Sequence, residues 1–343
     1  MTTELLPEVL RAPGEPNRLL VGPPAGGPAA WLGRHRAELR ALLVRHGHLL
    51  VRGLGLTGPG EFAEVRDALV ERVADQPREE TTPRTVLGEG VFSATDLPAP
   101  HTIRLHNEDS YSTVFPGLLL FACVTPARTG GATTVADSRQ VRAGLPDALV
   151  EGFRRRGWSV TRTFSAGVGL TWQQAFGTDD PAEVEDYCRR ARVGTTWLPD
   201  GRLRTVAVRP ATVRHPVSGE ELWFNHVAVF SEWTLDPEHR ALLVEAFGAD
   251  GLPQNTAYGD GGPVHPDDVA VLNRAYDAAT VPVRWERGDL LLVDNLLSSH
   301  GRTPYTGRRE VLVALGDPVR VEDVAPGGPV AAAPVTRDGE ETA

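Results

Sequence analysis

The sequence predicts a mainly β protein with peripheral helices, built on a double-stranded β-helix (jelly-roll) core. Three observations lead there. Short apolar, β-prone runs recur through the middle and end of the chain, with Gly and Pro between them. The helical patterns are few and do not alternate with strands as a doubly wound sheet requires. Neither a G-x-G-x-x-G fingerprint after a strand nor a P-loop is present.

The elements follow in order. Residues 1–30, rich in Pro, Gly and Ala, read as a loosely ordered lead-in with room for one short strand. Over 31–45, Trp31, Leu32, Leu39, Leu42 and Leu43 recur near helical spacing among Arg and Glu, which predicts an amphipathic helix. HGHLLVRGL is a compact apolar run ending at Gly53, a buried strand. Gly58, Pro59 and Gly60 mark a turn, and a second helix starts near Pro59. LLLFACVT, residues 118–125, lies between Pro116-Gly117 and Pro126 and predicts another buried strand. Thr129-Gly130-Gly131 turns the chain into ATTVAD, a further strand. Residues 145–157 return to helix, and 165–196 read as an irregular, partly helical insertion. LRTVAVRP and ELWFNHVAVF are β-prone, 237–247 and 266–279 helical. VPVRWERGDLLLVDNLLSSHGR and RREVLVALGD complete the core strands. With no repeat or linker inside it, 31–321 is expected to be one domain, followed by a disordered tail over 322–343.

Composition narrows the function. Hydrophobic residues make up 41% of the 343 and charged residues 23%, enough apolar mass for a sizeable core. The net charge of −10 disfavours nucleic acid or an anionic membrane as a general partner. The sequence contains no lysine, which removes Schiff bases, P-loop lysines and lysine bases. Cys123 and Cys188 stand far apart, giving no disulfide framework and suiting a reducing cytoplasm. No signal peptide or bilayer-length apolar run is evident, so a cytoplasmic protein is expected.

The chemistry concentrates at His106-Asn107-Glu108. On a strand, residues i and i+2 share a face, so an imidazole nitrogen and a carboxylate oxygen can reach one ion. A third ligand is needed, and His300, at the polar end of an apolar strand, is the candidate. Two His and one carboxylate cap one side of a metal and leave positions open, as a non-haem Fe(II) oxygenase needs for cosubstrate and O₂. The same set suits Zn²⁺ and hydrolysis.

The segment RLHNEDSYSTVFPGLLLFACVTPARTGGATTVADSR resembles the clavaminate synthase-like branch of the TauD/TfdA family of Fe(II)- and 2-oxoglutarate-dependent oxygenases. Within it, the flavour is that of syringomycin-pathway-type amino-acid hydroxylases. VRHPVSGEELWFNHVAVF and WERGDLLLVDNLLSSHGRTPYTGRREVLVAL resemble the family's later motifs, in order. The resemblance covers roughly 31–321.

It implies His106, Glu108 and His300 as catalytic iron ligands, and Thr133 and Arg309 on the distal carboxylate of 2-oxoglutarate. A guanidinium offers a donor fork to a carboxylate and a hydroxyl one more donor. Arg309 is favoured over Arg308 because it keeps register with VLVAL, leaving Arg308 as an exposed partner for Glu310. Asn225, with Trp223 and Phe224, matches a position near the substrate; Tyr111 and Ser112 follow the ligand strand; Arg302 is a candidate for a substrate carboxylate. Asp294 and Asn295 are expected to organise the turn before His300. His226 would point away from Asn225's face, and His46, His48 and His215 read as structural.

The implied reaction is hydroxylation of an unactivated C–H of an amino acid or derivative in specialised metabolism, using Fe(II), 2-oxoglutarate and O₂. Desaturation, cyclisation and epimerisation use the same site and stay open. Related halogenases lack the carboxylate, so Glu108 disfavours halogenation. Carrier proteins tend to be acidic, and a net charge of −10 favours a free small molecule over a carrier-tethered one. The oligomeric state is not set by any of these features.

Overall fold

Two long apolar strands, Val114–Thr125 and Glu310–Arg320, pair antiparallel at the centre of a seven-stranded sheet. Leu290–Asp294 and His48–Arg52 extend it on one side, and Arg18–Leu20 adds parallel to the edge. Val91–Ser93 and Val86–Gly88 extend it on the other. This computed structural model describes residues 6–74, 79, 81, 84–166, 169–248, 251–325 and 327–332.

A four-stranded sheet faces the large one, in the order Thr280–Val283, Thr133–Asp137, Ser298–Arg302, Ile103–His106. Strand alternation sends Leu119, Phe121, Leu291, Val293 and Val313 of the large sheet towards Val135 and Val283 of the small one. The opposite face of the large sheet, through Leu118, Leu120, Leu290, Leu292 and Leu312, packs under the N-terminal helices. Both faces are buried, so these strands read as unbroken apolar runs. A third sheet lies beside them, in the order Gly194–Trp197, Leu203–Arg209, Trp158–Phe164, Gln254–Tyr258, with Ala331–Ala332 against Leu203–Arg209. The molecule is mainly β with peripheral helices.

Four local readings need correction. The helix expected over 31–45 is two, Pro28–Arg34 and Arg36–His46, broken at His35. The break falls where the apolar pattern lapses between Leu32 and Leu39, and the His35 ring packs tilted against Trp31. In ELWFNHVAVF only Glu221–Trp223 is strand; Val227–Phe230 is a helical turn. The lead-in over 1–30 is held where described: Leu10 bridges to Arg18, and Leu19 on the edge strand is fully buried; residues 1–5 lie outside the described residues. The tail expected from 322 begins in order, with helix Val321–Val324 burying Val324 and with Ala331–Ala332 in a sheet. Residues 333–343 lie outside the described residues.

Candidate metal centre and its cavities

Strand register brings the two histidines together. His300 on Ser298–Arg302 pairs directly with His106 at the end of Ile103–His106, so both imidazoles leave the same face of the small sheet. Their ring centroids are 4.4 Å apart. Gly301, between His300 and Arg302, permits the approach, since a Cβ there would lie 2.5 Å from the carbonyl oxygen of Ile103.

Glu108 arrives differently from the i, i+2 expectation. The strand ends at His106, and Glu108 sits in the following turn, where Asp109 takes a positive φ of 53°. Asn295 holds that turn in place. Its Oδ1 accepts from the Glu108 backbone N–H at 2.7 Å, and its Nδ2 donates to the carbonyls of Glu108 at 2.9 Å and Pro116 at 2.7 Å. Asn107 Nδ2 in turn donates to the Asn295 carbonyl at 2.7 Å. Asp294 accepts from the N–H groups of Leu296 and Leu297, shaping the turn that leads to His300.

The three side chains converge. Glu108 Oε2 is 3.3 Å from His300 Nε2 and 3.6 Å from His106 Nε2. All three donor atoms lie within 4.8 Å of one another. Donors at right angles on an ion with bonds of about 2.1 Å would be about 3.0 Å apart, so a small contraction encloses one metal. His106 Nδ1 is 2.8 Å from the Arg104 carbonyl, which only accepts, so Nδ1 carries the hydrogen and Nε2 keeps its lone pair for the centre. Burial, with the nearby His106, pushes His300 down to about 4, so this imidazole is neutral at pH 7. Burial opposes ionisation of Glu108, but Arg84 and the two imidazoles outweigh it and hold the carboxyl well below its ordinary range. A buried carboxylate and two imidazole lone pairs are the donor set that a divalent first-row metal requires.

Two cavities meet here. The smaller, about 30 Å³, touches all three side chains together with Thr133, Arg302 and Arg309. The larger, about 290 Å³, reaches His106 and Glu108 and is lined by Tyr111, His226, Val229, Phe230 and Leu235 among others.

Residues 22–315 match the family model described as taurine catabolism dioxygenase TauD, TfdA family. The chain belongs to the TauD/TfdA family. It is 36% identical over 278 residues to the dapdiamide synthesis protein DdaC of Enterobacter agglomerans, covering 81% of this chain and 84% of that one. It is 27% identical over 295 residues to a clavaminate synthase-like protein of Arabidopsis thaliana, covering 81% and 83%. Among solved structures, PvcB of Pseudomonas aeruginosa superposes with a TM-score of 0.52 at 18% identity, over 91% of this chain and 92% of that one. As a member of the TauD/TfdA family the protein is a dioxygenase that uses Fe(II), 2-oxoglutarate and O₂.

The other residues singled out in this TauD/TfdA chain fall into place unevenly. Arg309 lies beside Thr133, with Nη2 3.4 Å from Oγ1 and Nε donating to the Gly131 carbonyl at 2.9 Å. Burial lowers it to about 10, which leaves it charged at pH 7. Arg308 is exposed and pairs with Glu310 at 2.6 Å. Tyr111 lines the larger cavity and donates to Asp109 Oδ1 at 3.0 Å. Asn225 lines neither cavity: its Nδ2 donates to the Ala211 carbonyl and its Oδ1 accepts from the Val227 N–H. Arg302 lies at the smaller cavity, but both terminal nitrogens donate to the carbonyls of Leu97, Pro98 and His101. Those donors tie a loop, and Nε is left buried without a hydrogen-bond partner among the described residues.

Among the cavity residues, His226 was assigned to the wrong face and Arg84 was not marked at all. His226 faces the larger cavity, its ring 5.6 Å from that of His106 and its Nδ1 2.5 Å from Ser110 Oγ. Strand alternation put it on the wrong side because the strand stops at Trp223. An Asn followed by an apolar run, a common helix-entry pattern, was the available signal. Arg84 pairs with Glu108 from a segment without periodicity or motif, and nothing in the sequence marks it.

Proposed function

We propose that this TauD/TfdA dioxygenase hydroxylates an unactivated C–H bond of a small amino acid or amino-acid derivative, held free in the larger cavity. In this reading the two facing sheets are a jelly roll, His106, Glu108 and His300 hold the iron, and Thr133 and Arg309 hold the distal carboxylate of 2-oxoglutarate. Iron with 2-oxoglutarate and O₂ supplies the oxidising power, releasing succinate and CO₂. The chain contributes geometry. His106 and His300 present Nε2 and Glu108 presents Oε2 from one side, which leaves the far side open. Arg309 is a buried cation with a hydroxyl beside it, a site for a carboxylate. Tyr111, His226, Val229 and Phe230 face the substrate, and burial beside His106 keeps His226 neutral.

One observation carries the reading: a carboxylate-competent cavity and a larger mixed-polarity cavity meet at the same His and Glu. The asparagine oxygenase that superposes with a TM-score of 0.52 at 15% identity, over 84% of this chain and 79% of that one, is a structural precedent for an amino-acid substrate. Anaerobic addition of Fe(II) and 2-oxoglutarate is expected to produce a metal-to-ligand charge-transfer band in the visible. An amino-acid panel is then expected to stimulate succinate release with a hydroxylated product. Absence of the band would overturn the iron reading; a band with a desaturated or cyclised product would overturn hydroxylation alone.

Arg309→Met removes a charge-assisted donor set worth about 1.5–3 kcal/mol. The KM for 2-oxoglutarate is expected to rise roughly ten- to a hundredfold. Arg308→Ala, on an exposed ion pair, should leave it unchanged. Steady-state kinetics of the two variants separate the two arginines.

A further inference from the structure

Glu108 has two oxygens and they have different neighbours. Oε2 faces Nε2 of both histidines, and Oε1 receives Nη2 of Arg84. The Arg84 side chain is 13% exposed, and Glu108 is the one acceptor its guanidinium meets among the described residues. Its Nη1 is buried without a hydrogen-bond partner there.

Such a pair is a poor device for stability, because well-packed apolar side chains of similar volume do as well or better. Its distinctive effect is on orientation. A carboxylate with both oxygens free can grip an ion with one or with two. With Oε1 in a charge-assisted hydrogen bond, Oε2 alone is available. The difference matters because a second carboxylate oxygen would occupy a position on the metal that 2-oxoglutarate or O₂ requires.

We infer that Arg84 is a positioning residue that holds Glu108 Oε1 and restricts the carboxylate to one-oxygen ligation through Oε2. The inference rests on the proposed reading of His106, Glu108 and His300 as metal ligands. Arg84 enters from the segment before strand Val86–Gly88, outside the small sheet, so it can be replaced without disturbing the histidine register.

Mn(II) in place of iron tests this without turnover, because water-proton relaxation reports the number of exchangeable waters on the ion. An octahedral ion with three protein donors keeps three waters, and a two-oxygen Glu108 would leave two. Arg84→Met is expected to lower the relaxation enhancement of the bound ion by about a third. It is also expected to lower kcat at least about tenfold, with the KM for 2-oxoglutarate little changed. Arg84→Lys, which restores a cationic donor, is expected to recover most of both. A Met variant with wild-type relaxation and kcat would overturn the inference. So would tighter Mn(II) binding with unchanged waters, which would make Arg84 a competitor of the metal. Should the Met variant not fold, the infrared difference spectrum on adding Mn(II) to the wild-type protein decides. A splitting of the Glu108 carboxylate stretches at or above that of the free carboxylate is expected, and one well below it, the mark of a chelating carboxylate, overturns one-oxygen ligation. If wild-type protein binds no Mn(II) that His300→Ala abolishes, the ligand reading fails instead.

Discussion

Replacing Glu108 by alanine is expected to lower substrate-dependent succinate release by at least about a thousandfold and to destabilise the metal-free protein as well. The two effects have separate causes. Activity falls because two imidazoles remain where three donors stood, and the anionic donor that fixes the ion's third protein position is gone. Stability falls because the guanidinium of Arg84 loses its partner while staying buried. Breaking such a pair from one side costs about 3–5 kcal/mol, a drop in melting temperature of roughly 4–7 °C for a chain of this length. Removing both partners dissects them. The double variant Glu108→Ala/Arg84→Met is expected to melt near wild type yet stay inactive, since the stranded charge is gone and the missing ligand is not replaced. Calorimetry and succinate assays on the three variants check this. A single variant that melts like wild type, or that turns over within tenfold of it, would contradict the pairing or the ligand role respectively.

The sequence made the histidines and the carboxylate visible as residues, and the fold made them a site. His106 and His300 stood out because one precedes a long apolar strand and the other follows one. Their direct pairing across Ile103–His106 and Ser298–Arg302 is a non-local register that no local pattern encodes. Glu108 was legible by identity but not by geometry: the i, i+2 rule needs a strand, and the strand had already ended. The same error moved attention from His226 to Asn225, where alternation was extended past Trp223 into a helical turn. Arg309 turns towards Gly131 and Thr133 while Arg308 stays exposed with Glu310, as the register with VLVAL suggested, although the ladder shifts between Glu310 and Val311. Arg84 was invisible, because an ion pair between an aperiodic segment and a distant turn leaves no trace in spacing or composition. The ordered stretches of 6–30, where only one short strand was expected, and of 322–332 were underestimated for a related reason. They are held by pairing with His48–Arg52 and Leu203–Arg209, and Pro/Gly/Ala composition reports only local preference.

Asn295→Leu should be the most damaging substitution that touches none of the proposed ligands. Asn295 is fully buried, and its amide joins the turn that carries Glu108 to the turn that leads to His300. Leucine fits a similar volume but leaves the Glu108 N–H and the carbonyls of Glu108 and Pro116 without their partner. At about 1–3 kcal/mol for each buried group left unsatisfied, the three together amount to roughly 3–9 kcal/mol before any relaxation. The backbone of Glu108 can recover part of this by turning towards water, and that movement draws Oε2 away from the imidazoles. Metal binding is therefore expected to weaken well beyond what partial unfolding explains, by at least about tenfold for protein that remains folded. Asp294→Ala is the matched control. It removes an acceptor from the Leu296 and Leu297 N–H groups and a contact to His215 but leaves the clamp on Glu108 in place. It should lower the melting temperature with little change in metal affinity. Mn(II) titration beside thermal melts separates the two variants. If Asn295→Leu lost stability but bound Mn(II) as the wild type does, the turn would hold Glu108 without the amide, and positioning of the carboxylate would rest on Arg84 alone.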